Sequence, residues 1–288
     1  RLLKYSKQFS LPKMSKLLPR IITGVVFLGL VIVSVTISPW IFAALFGFFT
    51  VIGIIEFYRM SGMLGFTPQK VTGIVIGFLT FLVLFLLTMG ILPPEMVFLL
   101  PVLMLSIPII ELFRQKPTPT SDWAQTLFAP MYIALPFGLM ANMLFLPDTR
   151  EFSPKIILSF FAFVWISDTG AFCVGSLIGK HKLIPKISPK KTIEGLLGGI
   201  VFTLLSSIAV YHWVGVFSQA HWLIISLVTV IFATFGDLVE SMVKRNAGVK
   251  DSGKMLPGHG GVLDRFDSTL LAVPPVWLTI VLITHKLI

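Results

Sequence analysis

Cysteine is almost absent from this 288-residue chain, which contains only Cys173. A single cysteine excludes an intrachain disulfide framework, and no cluster of histidine and cysteine accompanies it to form a zinc site. We therefore expect Cys173 to be a small apolar packing residue. The sequence also shows no soluble domain, low-complexity linker or repeat of fixed period.

Negative charge is scarce as well. The chain has 13 Asp and Glu against 23 Lys and Arg, a net charge of +10, and 55% of its residues are hydrophobic. This composition is typical of a polytopic membrane protein. A function in nucleic-acid binding is disfavoured, because no basic soluble domain exists to hold the nucleic acid. Anionic headgroups or substrates at the membrane surface are the expected partners of the basic excess.

Long apolar runs dominate what is present. A hydrocarbon core of about 30 Å requires about 20 apolar residues per helix, and such runs recur with proline near their ends. We therefore predict an all-α fold of about nine transmembrane spans. The predicted spans are residues 21–38, 40–58, 71–89, 94–113, 123–146, 156–178, 193–216, 221–241 and 268–286.

Three regions follow from this layout. Residues 1–20 form a basic segment, of which 1–13 are set aside because Met14 is a candidate natural start. Residues 21–150 form an N-terminal group of transmembrane helices. Residues 151–288 form a C-terminal catalytic region with polar loops at 180–192 and 244–266.

The basic residues predict the orientation of the chain. With nine spans, only Arg150, Lys155 and Lys286 of the 23 Lys and Arg fall on one side of the membrane. Cytoplasmic loops carry the excess of Lys and Arg, so we expect a cytoplasmic N-terminus and an external C-terminus. The size and the lack of a targeting extension favour a bacterial inner-membrane protein.

Most acidic residues lie at span ends or in loops, where we expect them to be solvated. Those residues are Glu56, Glu95, Glu111, Asp122, Asp148 and Glu151. The exceptions are Asp168 in the sixth span and Asp237 with Glu240 in the eighth. A carboxylate at mid-bilayer costs about 2.5–3.5 kcal/mol, so such groups usually face a polar interior and serve a function.

The spacing of these acids predicts a shared site. Asp237, Glu240, Ser241 and Lys244 follow one stripe of a helix, and Asp264 and Asp267 are again three residues apart. If the intervening loop folds back, two helices present carboxylates to each other. Grouped oxygen ligands of this kind suit Mg²⁺, with substrate phosphate completing its coordination. The alternative is a set of salt bridges with Lys244 and Arg265.

The two basic loops contain glycine, serine and threonine as well as lysine. Glycine allows backbone amides to approach phosphate oxygens, and lysine neutralises their charge. The PKKT run at 189–192 resembles a phosphate-binding turn, although neither a Walker A loop nor a GxGxxG fingerprint is present. Gly195, Gly198 and Gly199 are expected to allow close helix packing. Together these features indicate phosphoryl or nucleotidyl transfer on a lipid.

The segment 241–267, SMVKRNAGVKDSGKMLPGHGGVLDRFD, resembles the signature of the phosphatidate cytidylyltransferases, also called CDP-diacylglycerol synthases. The matching positions are Ser241, Lys244, Arg245, Lys250, Asp251, Gly253, Leu256, Pro257, His259, Gly260, Gly261, Asp264, Arg265 and Asp267. The upstream segments SDTGAF and SPKKTIEG are also similar to those of the family. The resemblance therefore covers roughly residue 160 to the end.

The resemblance implies the reaction CTP + phosphatidate → CDP-diacylglycerol + pyrophosphate, dependent on Mg²⁺ and compatible with a second cation. Asp237 and Asp264 would be metal ligands, with Asp267 a third or outer ligand. The residues implied in catalysis are Asp237, Asp264, Lys244 and Arg265. Those implied in substrate binding are Lys190, Lys191, Thr192, Arg245, Lys250, His259, Gly260, Gly261 and Asp168. For His259 a phosphate contact and a purely structural role stay open, as does the partner of Asp168.

Two other classes remain as alternatives at this point. A secondary transporter also carries intramembrane charges, but its inverted repeat is not visible here. A CDP-alcohol phosphotransferase or a polyprenyl-transferring enzyme would carry its own aspartate motif, and neither motif occurs. The expected partners are CTP, phosphatidate and membrane lipids, with a homodimer compatible with the small residues along the spans.

Overall fold

The computed structural model describes residues 14–256 and 258–288, with backbone only for residues 14–20. The expectations for residues 1–13, including the basic residues before Met14, lie outside the described residues, as does Pro257 of the signature. Across the described ranges the chain is all-α, as predicted, with one short β-hairpin.

Ten α-helices are present in the described part of the chain. They are α1 (Met14–Ile37), α2 (Pro39–Met63), α3 (Lys70–Thr88), α4 (Leu99–Leu112), α5 (Pro119–Ala129), α6 (Leu135–Met140), α7 (Lys155–Ile178), α8 (Ile193–Val214), α9 (Gln219–Asn246) and α10 (Leu263–Thr284). A 3₁₀ turn, Pro94–Phe98, leads into α4, a π turn, Pro130–Ala134, joins α5 to α6, and a second 3₁₀ turn, Ala141–Leu144, follows α6.

Eight helical segments are long and apolar enough to cross a membrane, and Ile21–Ile37 adds a shorter apolar helix. Each of the nine predicted spans corresponds to one of these segments, so the prediction of a polytopic membrane protein is confirmed. The boundaries differ where polar residues begin a helix. The last helix starts at Leu263 rather than residue 268, and it therefore includes Asp264 and Asp267.

The predicted turn at 189–192 is wrong in its local structure. Strand β1 (Lys182–Ile184) pairs antiparallel with β2 (Ser188–Thr192), so the PKKT run is the end of a hairpin strand. The hairpin runs directly into α8, whose N-terminus is capped by Thr192. The Thr192 hydroxyl oxygen accepts a hydrogen bond from the Gly195 amide at 3.1 Å.

Close helix packing positions the C-terminal half. Gly195, Gly198 and Gly199 of α8 lie against α7 with no room for a side chain, which confirms the packing prediction for these residues. Cys173 of α7, by contrast, is exposed on the helix surface rather than packed.

An aromatic cluster fixes the start of α10. The buried ring of Phe266 lies 5.0 Å from Phe137, 5.5 Å from Phe49 and 5.6 Å from Phe46, centroid to centroid. Such pairs contribute beyond the apolar area they bury. Phe266 lies between Arg265 and Asp267 in the chain, so its burial orients both neighbours.

The expectation of solvated acids at span ends is wrong for Glu111 and Asp122, as it is for Glu56, which is described with the candidate site. Glu111 is 4% exposed and accepts a hydrogen bond from Gln69 at 2.6 Å and one from Arg114 at 2.8 Å. Asp122 is 0% exposed and accepts hydrogen bonds from the Thr67 amide and hydroxyl. Buried charges persist where such partners exist.

Candidate active site

Helix α9 carries the predicted polar stripe, and α10 packs beside it. Lys244 is 8% exposed, and its Nζ lies 2.5 Å from Glu240 Oε2 and 2.7 Å from Asp264 Oδ1. The predicted folding back of the loop between α9 and α10 is thus observed. The salt-bridge alternative holds for Lys244, while Arg265 forms no ion pair with the described residues.

Asp264, in the first turn of α10, is held by the loop that precedes this helix as well as by Lys244. Its Oδ2 accepts hydrogen bonds from the Ser252 amide at 2.7 Å, the Ser252 hydroxyl at 3.0 Å and the Gly261 amide at 2.8 Å. The Leu256 amide donates to the Gly260 carbonyl at 2.9 Å and closes the turn. The Lys244 ammonium and two backbone amides therefore fix the Asp264 carboxylate, and the Ser252 hydroxyl, which also lies near Glu56, is a further candidate donor.

Helix α2 supplies two residues that the sequence reasoning did not assign to the site. Glu56 is 6% exposed, so its predicted solvated position at a span end is wrong. Its carboxylate accepts hydrogen bonds from the Ser252 hydroxyl at 2.9 Å and from the Val262 and Leu263 amides at 3.1 Å each. Arg59 donates to the Ser252 carbonyl. The sequence signal for these two site residues was an acidic and a basic residue three positions apart near the end of an apolar helix.

Asp237 and Asp267 flank a close approach of α9 and α10. A Cβ at Gly236 would collide with the Asp267 carbonyl and the backbone of Ser268, so only glycine allows this approach. Asp267 interacts electrostatically with Asp237 and with Asp168 of α7. Asp237 forms an ion pair with Lys191 of the hairpin and accepts a hydrogen bond from Ser241 at 3.3 Å.

His259 packs on the first helix. Its Nδ1 lies 2.9 Å from the Thr23 hydroxyl, and Gly24 leaves room for the imidazole ring. These contacts support the structural role of His259 in holding α1 against the signature loop. The ring of His259 also borders a cavity, so a contact between His259 and a substrate phosphate stays a prediction.

Two cavities adjoin the acids. The first, here called the Arg265 cavity, has a volume of about 430 Å³ and is lined by Thr23, Asp168, His259, Asp264, Arg265 and Asp267, among others. The second, the Lys190 cavity, has a volume of about 350 Å³. Lys190, Lys191 and Thr192 line one part of it, and apolar residues such as Phe172, Leu196 and Val230 line the rest. Asp168 borders both cavities.

Two predicted substrate-binding residues lie apart from these cavities. Arg245 is exposed and donates to the Val249 carbonyl at 3.3 Å, and Lys250 is exposed in the loop after α9. Neither lines the cavities formed by the described residues. Their assignment as phosphate ligands stays a prediction.

Within the described residues, no three Asp, Glu, His or Cys side chains are grouped so as to hold a metal ion by themselves. Mg²⁺ usually takes only one or two carboxylates and completes its coordination with water and phosphate. Asp267 fits that pattern: its Oδ1 accepts from the Ser268 amide at 2.7 Å, and Oδ2 has no donor among the described residues. Asp237 would fit once Lys191 released it, whereas Asp264 already accepts from the Lys244 ammonium and from the Ser252 and Gly261 amides.

Comparison with known proteins identifies the family of this chain. A family model described as the cytidylyltransferase family matches residues 18–283. A protein of Staphylococcus aureus (strain COL) named phosphatidate cytidylyltransferase is 44% identical over 155 residues, which are 53% of this chain and 57% of that protein. A protein of the same name from Staphylococcus haemolyticus is 46% identical over 156 residues, with the same coverage. The chain thus matches somewhat more than half the length of these curated relatives. Because the family model matches nearly the whole chain, the chain belongs to the cytidylyltransferase family.

Proposed function

We propose that this chain transfers the cytidylyl group of CTP to phosphatidate, giving CDP-diacylglycerol and pyrophosphate, with Mg²⁺ as cofactor and at the cytoplasmic face of the membrane. The observation that carries the proposal is that Asp168 borders both cavities, one lined by Arg265 and Asp267 and the other by Lys190 and Lys191. Membership of the cytidylyltransferase family and the names of the relatives support the choice of nucleotide and lipid.

The chemistry needs little more than alignment and charge neutralisation. A phosphate oxygen of phosphatidate attacks the α-phosphorus of CTP, the new P–O bond forms, and the bond to the β-phosphate breaks to release pyrophosphate. The phosphomonoester is already an anionic nucleophile, so no strong general base is required. Positioning and electrostatic stabilisation of the leaving group then account for most of the catalysis.

The linings of the cavities suggest which substrate each one takes. In the Lys190 cavity, apolar side chains of α7, α8 and α9 adjoin two lysines, which suits a lipid whose phosphate lies at one end. The Arg265 cavity offers Thr23, His259 and Arg265, which suit the hydroxyls and phosphates of a nucleotide. Asp168, at the junction, would face both reacting groups.

Asp237 and Asp267 are the residues we propose as ligands of Mg²⁺, which would supply charge neutralisation at the phosphates. Asp264 would act mainly by holding Lys244 and the loop, since its oxygens already accept from the Lys244 ammonium and from the Ser252 and Gly261 amides. Lys191, released from Asp237, would become available to a substrate phosphate.

The orientation is supported by the ends of the helices. Arg59 at the end of α2 contacts the loop between α9 and α10, and Arg114 after α4 donates to the Thr67 carbonyl between α2 and α3. Arg150 donates to the Thr88 carbonyl at the other end of α3. The basic connections therefore share one end of the bundle, and the positive-inside rule makes that end cytoplasmic.

The test is the stoichiometry of the reaction in detergent micelles containing purified protein, CTP and phosphatidate. The proposal predicts one pyrophosphate released per CDP-diacylglycerol formed, with no release when either substrate is omitted. Pyrophosphate release without lipid would indicate a hydrolase. Uptake of a solute into proteoliposomes, without turnover of CTP, would indicate a transporter.

A further inference from the structure

Glu56 is a buried acid in the N-terminal half of the chain, and the hydrogen bonds that its carboxylate accepts from the described residues come from Ser252, Val262 and Leu263. Its partner Ser252 lies 196 residues further along the sequence. We propose that Glu56, assisted by Arg59, is a positioning residue that holds the 249–262 loop so that Asp264 and Arg265 face the nucleotide. This inference rests on the proposed function for its kinetic consequences only.

The first argument is the number of donors that converge on one carboxylate. The Val262 amide donates to Oε1 and the Leu263 amide to Oε2, and the Ser252 hydroxyl lies 2.9 Å from Oε2. The two amides belong to the N-terminus of α10, where helix N–H groups lack partners in the helix and the helix dipole favours negative charge. Glu56 therefore caps the helix that carries Asp264, Arg265 and Asp267.

The second argument is the shape of the loop around this carboxylate. A Cβ at Gly253 or at Gly261 would collide with the Glu56 carboxylate, so both glycines are needed for the loop to close on it. Ser252 is completely buried. Its hydroxyl lies within hydrogen-bonding distance of both Glu56 Oε2 and Asp264 Oδ2, and it can donate to one at a time. Ser252 thereby links the acid on α2 to the acid on α10.

The third argument is that Arg59 holds the same residue from the other side. It lies three positions after Glu56, on the same face of α2, and donates to the Ser252 carbonyl. Arg59 is exposed, so it can be replaced without opening a cavity in the core. Two contacts from one helix turn thus fix one residue of the loop.

The test compares Glu56→Gln with Glu111→Gln, a matched control. Glu111 is also a buried, hydrogen-bonded glutamate on a transmembrane segment, and it does not contact the loop. A glutamine at position 56 would turn an –NH₂ group toward donors and leave at least one of them unsatisfied. The first measurement is limited trypsin digestion, with cleavage at Lys250 and Lys254 normalised to cleavage at Lys186 in the hairpin.

We expect faster cleavage at Lys250 and Lys254 in Glu56→Gln, and no change in Glu111→Gln. The second measurement is steady-state kinetics. A misplaced loop should lower kcat/KM for CTP by on the order of 100-fold. KM for phosphatidate should stay unchanged, because α7, α8, α9 and the hairpin form the Lys190 cavity.

Unchanged cleavage at both lysines would overturn the proposal, and so would faster cleavage with unaltered kinetics. If Glu56→Gln does not fold, Arg59→Gln serves as the second variant, with the same expected direction in both measurements. If the wild-type protein forms no CDP-diacylglycerol, the proposed function fails, and the digestion alone then decides whether Glu56 holds the loop.

Discussion

At the scale of single residues, the site depends on buried charges that compensate one another. Lys244 lies between Glu240 and Asp264, and all three belong to the interface of α9 and α10. Removing one member of a buried ionic group leaves the others without compensation, which costs more than the intact group contributes. Lys244 is therefore expected to contribute more to stability than an exposed lysine such as Lys250 in the loop that follows α9.

Replacing Lys244 by methionine should lower the free energy of unfolding by about 3–5 kcal/mol, because two buried carboxylates lose their shared cation. Unfolding by titration with denaturing detergent measures this change. Lys250→Met, at an exposed position, should stay within about 0.5 kcal/mol of wild type. Equal effects of the two substitutions would show that Lys244 does not compensate these acids.

Asp267→Asn should abolish the stabilisation of the protein by Mg²⁺, because Asp267 offers the carboxylate oxygen that has no donor among the described residues. Thermal unfolding with and without Mg²⁺ measures this, since a ligand that binds only the folded state raises Tm. Glu95→Gln, at an exposed position far from Asp267 in the sequence, serves as control and should keep the rise in Tm that Mg²⁺ produces. A full Mg²⁺ shift in Asp267→Asn would contradict its role as a ligand.

At the scale of elements, the contact between α9 and α10 determines which acids meet. Gly236 allows the backbones to touch beside Asp237, and the ring of Phe266 anchors α10 among the aromatic residues of α1, α2 and α6. Protein interiors are packed densely enough that added volume forces such elements apart. The approach of Asp237 to Asp267 thus depends on Gly236, which has no side chain that could take part in the reaction.

Gly236→Ala should therefore reduce both stability and activity, the former by about 1–3 kcal/mol through overpacking. Gly62→Ala is the matched control, because its Cβ would meet no atom within 4 Å. That change in α2 should be neutral or slightly stabilising, since alanine favours helix more than glycine does. Unfolding and CTP turnover in parallel measure the pair, and a neutral Gly236→Ala would refute the account of this contact.

At the scale of the whole molecule, the sequence predicted what depends on local pattern. Apolar runs located every span, and the i, i+4 spacing of Glu240 and Lys244 matched an observed ion pair. The contacts of Glu56 depend on a partner 196 residues away, so no local spacing could indicate them. The hairpin at 182–192 was missed because β1 has only three residues and four of the five residues of β2 are polar, without the alternation that marks a strand.

The predicted orientation of the chain can be measured by labelling single cysteines. In a Cys173→Ala background, Lys186→Cys should be protected from a membrane-impermeant maleimide in intact cells, and Arg150→Cys should react. Both positions are exposed, so access depends only on the side of the membrane. Labelling of Lys186→Cys without Arg150→Cys would place the Lys190 cavity and its loops outside the cell.

The most direct test of the central claim is transfer of label from α-³²P-labelled CTP into lipid by the protein reconstituted in vesicles containing phosphatidate. The wild-type protein should move the label into CDP-diacylglycerol, and Asp237→Asn should abolish transfer while the protein keeps its fold and its Tm in detergent. No transfer by the wild-type protein, or undiminished transfer by Asp237→Asn, would contradict the account.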